Sequence, residues 1–142
     1  MGIEFKYNVE VGKDITIQQL REDGYKAFYV AIGAQGGRMA GIPGEDGEGV
    51  VTGVEFLRNV NLDEEHAKVG GRTVVIGGGN VAIDVARTAL RAGSEQVSMI
   101  VLESREEMPA AKDEIQEAEE ENIQILNSWG PKEILLENGK VK

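Results

Sequence analysis

Three consecutive glycines, Gly77, Gly78 and Gly79, separate a short apolar run from a segment with helical periodicity. The apolar run, Val74 to Ile76, has the continuous β-branched character of a parallel strand that is covered on both faces. Small and apolar side chains then recur at three- and four-residue steps, as on one face of an amphipathic helix. These side chains are Val81, Ala82, Val85, Ala86, Ala89 and Leu90. Gly93 is placed to end that helix, because glycine readily adopts the left-handed conformation after a last turn. The sequence therefore predicts a strand, a tight glycine turn and a helix.

This joint has the features of a phosphate-binding loop. The first glycine permits a tight turn, the third lets a ligand approach the backbone, and Ala82 keeps helix and strand close together. Free N–H groups and the positive end of the helix dipole would face a dinucleotide pyrophosphate. The predicted phosphate-binding residues are Gly77, Gly78, Gly79, Asn80 and Val81. Two alternatives stay open at this point: a glycine turn that binds no phosphate, and an Asn80 side chain that only caps the helix.

An acidic residue follows the next predicted strand, Gln96–Leu102. Glu103 lies about 20 residues beyond the glycines, where a carboxylate accepts hydrogen bonds from the adenosine ribose hydroxyls. An acidic helix over residues 112–121 and a third strand over residues 123–126 complete a βαβαβ pattern. Asn138-Gly139 predicts a closing hairpin. The predicted fold class is α/β, a Rossmann-like NAD(P)-binding domain with a parallel sheet, flanking helices and a C-terminal hairpin.

The composition excludes several other classes of function. The chain has 142 residues and a net charge of −10, which argues against nucleic acid or an anionic membrane surface as a partner. No apolar run approaches the roughly 20 residues of a membrane span, so a cytoplasmic protein is the simplest interpretation. Without cysteine the chain has no thiolate metal site or redox dithiol. The single histidine, His66, lies in a polar run and is expected at the surface. We therefore predict no metal site and no catalytic side chain in this chain.

The N-terminal part predicts a strand–helix–strand segment. Phe5, Tyr7 and Val9 alternate with polar residues, Thr16 and Gln19 fit a helix capping box, and residues 26–33 have the character of a buried strand. A glycine-rich linker and a short helix with a second capping box follow. The predicted domains are residues 1–36, 37–71 and 72–142, the last truncated at its C-terminal end. We also expect Trp129 to fill space in the core.

Four motifs, taken in order, resemble one family over essentially the whole chain. They are Ala31-Ile32-Gly33-Ala34, Gly41-Ile42-Pro43-Gly44-Glu45, the glycine turn with its helix to Arg87, and Ser104-Arg105-Glu106-Glu107-Met108-Pro109-Ala110. The family is the group of NAD(P)H-dependent flavoproteins typified by the small (β) subunit of glutamate synthase. Adrenodoxin reductase and dihydropyrimidine dehydrogenase are more distant members.

The resemblance implies a parent oxidoreductase in which an NAD(P)H domain is inserted into a split FAD domain. Hydride would pass from NAD(P)H to FAD, and electrons would continue to iron–sulfur clusters or a partner subunit. Residues 1–36 would be a piece of the FAD domain, with sheet edges that seek the missing sequence or a second copy of the chain. The family's FAD glycine fingerprint and cysteine-rich segment are absent. We therefore expect neither flavin binding nor turnover from this chain alone.

One departure from the family pattern bears on the coenzyme. Glutamate synthase small subunits typically carry two arginines just before the last motif, and this sequence has Leu102 and Glu103 there. Arginines suit the 2′-phosphate of NADPH, whereas a carboxylate repels it and binds the free hydroxyls of NADH. The sequence thus favours NAD(H) over NADP(H), although Arg105 could still reach a 2′-phosphate. With this loop included, Glu103, Ser104 and Arg105 join the predicted cofactor-binding residues.

Three functions are compatible with these patterns. The first is the pyridine-nucleotide-binding domain of a flavin-dependent oxidoreductase. The second is a non-catalytic module that senses dinucleotide, and the third is a nucleotide-free fold in which the glycines serve only the turn.

Overall fold

A computed structural model describes residues 2–62, 69 and 71–142, so His66 lies outside the described residues. The chain divides into two compact units, residues 1–33 and residues 34–142. None of the helices in the described part of the chain is long and apolar enough to cross a membrane.

The first unit contains one short helix, α1 (Ile17–Glu22). Its start confirms the predicted capping box. The Thr16 hydroxyl accepts a hydrogen bond from the Gln19 amide at 3.2 Å, and the Gln19 side chain accepts one from the Thr16 amide at 2.8 Å. Gly24, with φ +102°, follows the helix, where glycine readily adopts the left-handed conformation. Local hydrogen bonding that the sequence encodes therefore forms without a surrounding core.

The two strands predicted on either side of α1 are not present. Residues 2–10 and 25–33 contain no strand, and the unit has only an isolated bridge between Val11 and Ile15. A strand satisfies its backbone by pairing with a neighbour, and the described residues supply none here. The apolar side chains consequently remain exposed, with Tyr7 at 78% and Tyr29 at 95%.

The second unit is built on a three-stranded parallel sheet, which confirms the predicted α/β fold. Its strands are β1 (Arg72–Ile76), β2 (Gln96–Val101) and β3 (Gln124–Asn127), in the spatial order β1-β2-β3. Its helices are α2 (Gly53–Leu62), α3 (Asn80–Arg91) and α4 (Lys112–Glu120). Helix α3 connects β1 to β2, and α4 connects β2 to β3. Helix α2 packs against α3.

The core lies between the sheet and helices α3 and α4. Alternate residues of the central strand face the helices, and Met99 and Val101 are completely buried. Ile83 of α3 and Ile115 of α4 meet them with 0% and 1% exposure. The predicted helix stripe omitted Ile83 and included Val81, which is 52% exposed. The buried face of α3 is therefore rotated from the predicted one.

The opposite face of the sheet is open in the described chain. Val74 is 58% exposed and Ile76 is 41% exposed, so the prediction that β1 is covered on both faces is wrong here. The strand order follows the sequence, and right-handed crossovers in one direction put both connecting helices on the same face. The prediction of an apolar strand was correct, but no described residue covers the second face of β1.

Ion pairs join the exposed sides of α3 and α4. Arg87 contacts Glu117 at 2.6 Å and Glu121 at 2.8 Å, and Arg91 contacts Glu121 at 2.6 Å. The hydrogen bond to Glu121 raises the pKa of Arg87 above its ordinary value. These ion pairs thus align α3 with the acidic end of α4.

A hairpin closes the unit as predicted. Strands β4 (Leu136–Glu137) and β5 (Lys140–Val141) are joined by Asn138 and Gly139, with φ +54° and +81°, as a type I′ turn requires. The glycine-rich segment packs against this hairpin. Glu48 bridges to Lys140 through the backbone, and the two side chains form an ion pair of 2.6 Å.

Replacing Met99 by Ala should lower the free energy of unfolding by about 2–5 kcal/mol, because the change opens a cavity in the fully buried core. Chemical denaturation of the full chain measures the effect. Met39, which is 48% exposed, provides the control, and Met39→Ala should change stability by less than about 0.5 kcal/mol. Equal effects of the two substitutions would contradict the assigned core.

Candidate functional site

The glycine turn begins where β1 ends. Gly77 still donates its N–H to the Ile100 carbonyl of β2 at 3.0 Å, so the sheet ladder continues into the turn. Its φ of +133° lies in the region that favours glycine, and the chain leaves the sheet at this residue. The tight turn predicted for Gly77 is therefore present.

Gly78 and Gly79 serve different needs. A Cβ on Gly78 would lie 2.6 Å from Cγ1 of Val101, so this glycine allows the turn to cross the end of β2. A Cβ on Gly79 would meet no atom within 4 Å. Gly79 is the N-cap of α3, with φ −90° and ψ 172°, and its outer side is open space. Packing thus explains the second glycine but leaves the third without a structural requirement.

The turn presents a group of unpaired backbone donors. The Gly79 carbonyl accepts the N–H groups of Ala82 and Ile83 at 2.9 and 3.1 Å. Within the described part of the chain, no atom accepts a hydrogen bond from the N–H groups that precede them. Those groups belong to Gly78, Gly79, Asn80 and Val81. Together with the helix dipole, they create a positive potential at the start of α3.

Asn80 connects this turn to the loop after β2. Its Oδ1 accepts the N–H of Ala111 at 2.8 Å, and Ala110 donates its N–H to the Gly78 carbonyl at 3.1 Å. The Asn80 side chain is therefore not the N-cap of α3, a position that Gly79 occupies. Instead it aligns the starts of α3 and α4 beside one another.

Glu103 lies next to the glycine turn. Its Oε2 is 3.4 Å from the position that a Cβ of Gly78 would occupy. The Glu103 carbonyl accepts the N–H of Ser128 at 3.1 Å and the side-chain amide of Asn127 at 3.2 Å. Bonds from the end of β3 thus hold the backbone that carries the carboxylate. The structure brings together Glu103 and the glycines that the sequence singled out.

Ser104 and Arg105 are held by other side chains. The Ser104 hydroxyl bonds to Oε2 of Glu107 at 2.8 Å, within a turn closed by the Glu107 amide and the Ser104 carbonyl at 3.1 Å. Arg105 donates from Nε and from one terminal nitrogen to the two carboxylate oxygens of Glu119, each at 3.0 Å. Neither side chain has an atom bonded to the glycine turn.

Sequence reasoning missed the residues that hold this loop in place. Ala110 and Ala111 act through their backbone N–H groups, which no side-chain pattern reveals. Met108 is buried in the core with 7% exposure and anchors the loop there. The apolar character of residues 108–111 within a polar loop is the one signal that indicates this anchoring.

Trp129 does not fill the core and is 65% exposed. The backbone N–H of Trp129 donates to the Val101 carbonyl at 3.1 Å, and this bond extends the parallel ladder past the end of β3. Ser128 before it has φ +60°, so the chain turns sharply at that point. Backbone pairing and this turn, rather than the size of the indole, determine where the side chain lies.

Comparisons with known proteins match this architecture. The family profile of pyridine nucleotide-disulphide oxidoreductases matches residues 2–141. The NADP(+)-dependent formate dehydrogenase subunit beta of Moorella thermoacetica is 40% identical over 144 residues, which cover 100% of this chain and 20% of that protein. The glutamate synthase [NADPH] small chain of Escherichia coli (strain K12) is 34% identical over 152 residues, covering 99% of this chain and 32% of that protein.

A solved structure gives the same result for the fold. Mycobacterium tuberculosis FprA in complex with NADPH superimposes with a TM-score of 0.64 and 30% identity, over 80% of this chain and 30% of that one. The chain thus spans only about a fifth to a third of the length of these proteins. The match over nearly all of its residues nevertheless shows that the chain belongs to the pyridine nucleotide-disulphide oxidoreductase family.

Proposed function

We propose that this chain binds a pyridine dinucleotide at its glycine turn, as the NAD(P)H-binding part of a flavin-dependent oxidoreductase. In such an enzyme hydride passes from NAD(P)H to FAD, and electrons continue to iron–sulfur clusters or a partner subunit. The two relatives described above are named as a subunit beta and a small chain, and this chain spans 20% and 32% of their lengths. Flavin and electron acceptor would accordingly be held by sequence or subunits beyond these 142 residues.

The observation that carries the proposal is the open space at Gly79 next to unpaired amides. Four N–H groups lack an acceptor among the described residues, and a pyrophosphate supplies acceptor oxygens of the opposite charge. A nucleotide-free turn would explain Gly77 and Gly78 by conformation and packing, but it gives no reason for an empty position at Gly79. The residues present therefore fit a dinucleotide phosphate group.

The chain's own contribution is binding and orientation. The amides at the start of α3 would hold the pyrophosphate, and the anchored loop would hold Glu103 against the adenosine ribose. The nicotinamide supplies the hydride when the dinucleotide is bound. No acid–base role is assigned to this chain, because the proposed contacts are made by backbone amides and one ribose-binding carboxylate.

We further propose that the site prefers NADH to NADPH. The Glu103 carboxylate at the end of β2 would bond to the free ribose hydroxyls and repel a 2′-phosphate. Arg105, the nearby cation in the same loop, is already paired with Glu119. The named NADP(H)-dependent relatives do not support this preference, which depends on the position of Glu103 and on the pairing of Arg105 with Glu119.

For the domain organisation, we propose that residues 1–36 belong to the FAD domain and residues 72–142 to the NAD(P)H domain. Residues 37–71 would connect them. The exposed apolar side chains of the first unit support this division, since such a segment is expected to complete a sheet supplied by other sequence. The packing of Glu48 on the hairpin indicates that part of the connecting segment is fixed to the second domain.

Gly79→Ala should weaken NADH binding at least about tenfold, because the new methyl group would occupy the space proposed for the pyrophosphate. Calorimetric titration of the full chain measures the dissociation constant. The fold should persist, since nothing lies within 4 Å of the added atom and an alanine N-cap costs about 1 kcal/mol. Gly36→Ala, also at an open position, is the matched control and should leave binding unchanged.

Gly78→Ala provides the contrasting substitution. Its methyl group would overlap buried Val101, so it should lower the free energy of unfolding by about 1–3 kcal/mol. The proposed site would be contradicted if the Gly79→Ala variant bound NADH as tightly as the original chain. It would also be contradicted if the original chain bound neither dinucleotide.

Glu103→Arg should shift the NADPH-to-NADH affinity ratio toward NADPH by about tenfold or more, because reversing a charge near a phosphate changes its energy by about 1–4 kcal/mol. Parallel titrations with the two dinucleotides measure the ratio. Glu95→Arg makes the same charge change before the opposite end of β2 and should leave the ratio within about twofold. Equal affinity of the original chain for both dinucleotides would exclude Glu103 as the selecting group.

A further inference from the structure

The Arg105 side chain is bonded to a residue of α4 and not to the glycine turn. It lies at the second position of the 104–107 turn, and its guanidinium forms two parallel hydrogen bonds of 3.0 Å with the Glu119 carboxylate. This two-point geometry is the one in which arginine binds carboxylates most strongly, and it is also the geometry with which arginine binds phosphates. Glu119 thus occupies the edge of the guanidinium that a phosphate would use.

The loop places this cation close in sequence to the proposed ribose-binding acid. Arg105 is two residues beyond Glu103, whose carboxylate lies beside Gly78. The backbone on both sides is fixed, through the Glu103 carbonyl and through the Ala110 amide. A change in what Arg105 contacts therefore requires only a side-chain movement, with the loop backbone in place.

We propose that Glu119 is a positioning residue for coenzyme selectivity, because it withholds Arg105 from the 2′-phosphate of NADPH. This inference rests on the proposed function, since it assumes that the ribose lies at Glu103. Glu103 repels the 2′-phosphate, and Glu119 binds the Arg105 guanidinium, whose positive charge would offset that repulsion. The pair is partly exposed, at 39% for Arg105 and 45% for Glu119, so its strength is limited and its release is measurable.

The test is a set of titrations of the full chain with NADH and NADPH. Glu119→Ala should tighten NADPH binding about two- to fivefold, the range expected when one exposed ion pair no longer competes. NADH binding should stay within about 1.5-fold, because its ribose has no phosphate for Arg105. Glu120→Ala is the control, since it removes the same charge from the same helix. Among the described residues, the Glu120 side chain accepts a hydrogen bond only from the side chain of Gln116, at 2.8 Å.

Arg105→Ala in the Glu119→Ala background should abolish the gain in NADPH affinity. The proposal is overturned if Glu119→Ala leaves the NADPH-to-NADH ratio unchanged, if Glu120→Ala shifts it equally, or if the gain persists without Arg105. NADH binding with an unchanged ratio would overturn the Glu119 role alone. If the original chain binds neither NADH nor NADPH, the proposed function and this inference are both overturned.

Discussion

The close contact between the Gly78 backbone and Val101 is the constraint on which the site depends. A Cβ at this position would overlap Cγ1 of the valine, so only glycine lets the chain leave β1 across the end of β2. This crossing brings the start of α3 beside Glu103, the second residue after β2. The packing of Gly78 against Val101 thereby determines the distance between the unpaired amides at the start of α3 and the Glu103 side chain.

The loop after β2 makes this arrangement rigid. Ala110 and Ala111 donate backbone N–H groups to Gly78 and to the Asn80 side chain, and Met108 anchors the loop in the core. The side chains of this loop then pair among themselves or with α4. A loop held at both ends by backbone hydrogen bonds can carry residues of opposite charge without changing its path, which is how Glu103 and Arg105 occupy the same loop.

Much of the second unit could be predicted from its sequence. The glycine turn, the helix stop at Gly93 and the Asn138-Gly139 hairpin follow from local backbone preferences, and the structure confirms each. Three predictions were wrong: the strands on either side of α1, the burial of Trp129 and the cover on both faces of β1. Each of these three depends on a neighbour in space: a pairing strand, a cavity of suitable size, or a layer on the second face of the sheet.

The sequence by itself determined the order of strands and helices in the second unit, the position of the glycine turn and the acid that follows the next strand. These features are set by hydrophobic periodicity and by the conformational freedom of glycine, which act over a few residues. Only the tertiary structure decided that Gly78 serves packing while Gly79 faces open space, that Asn80 joins two helices, and that Arg105 is held by Glu119. Such assignments depend on which atoms meet when distant segments pack. A local stretch of sequence does not specify which residues will lie beside it in space.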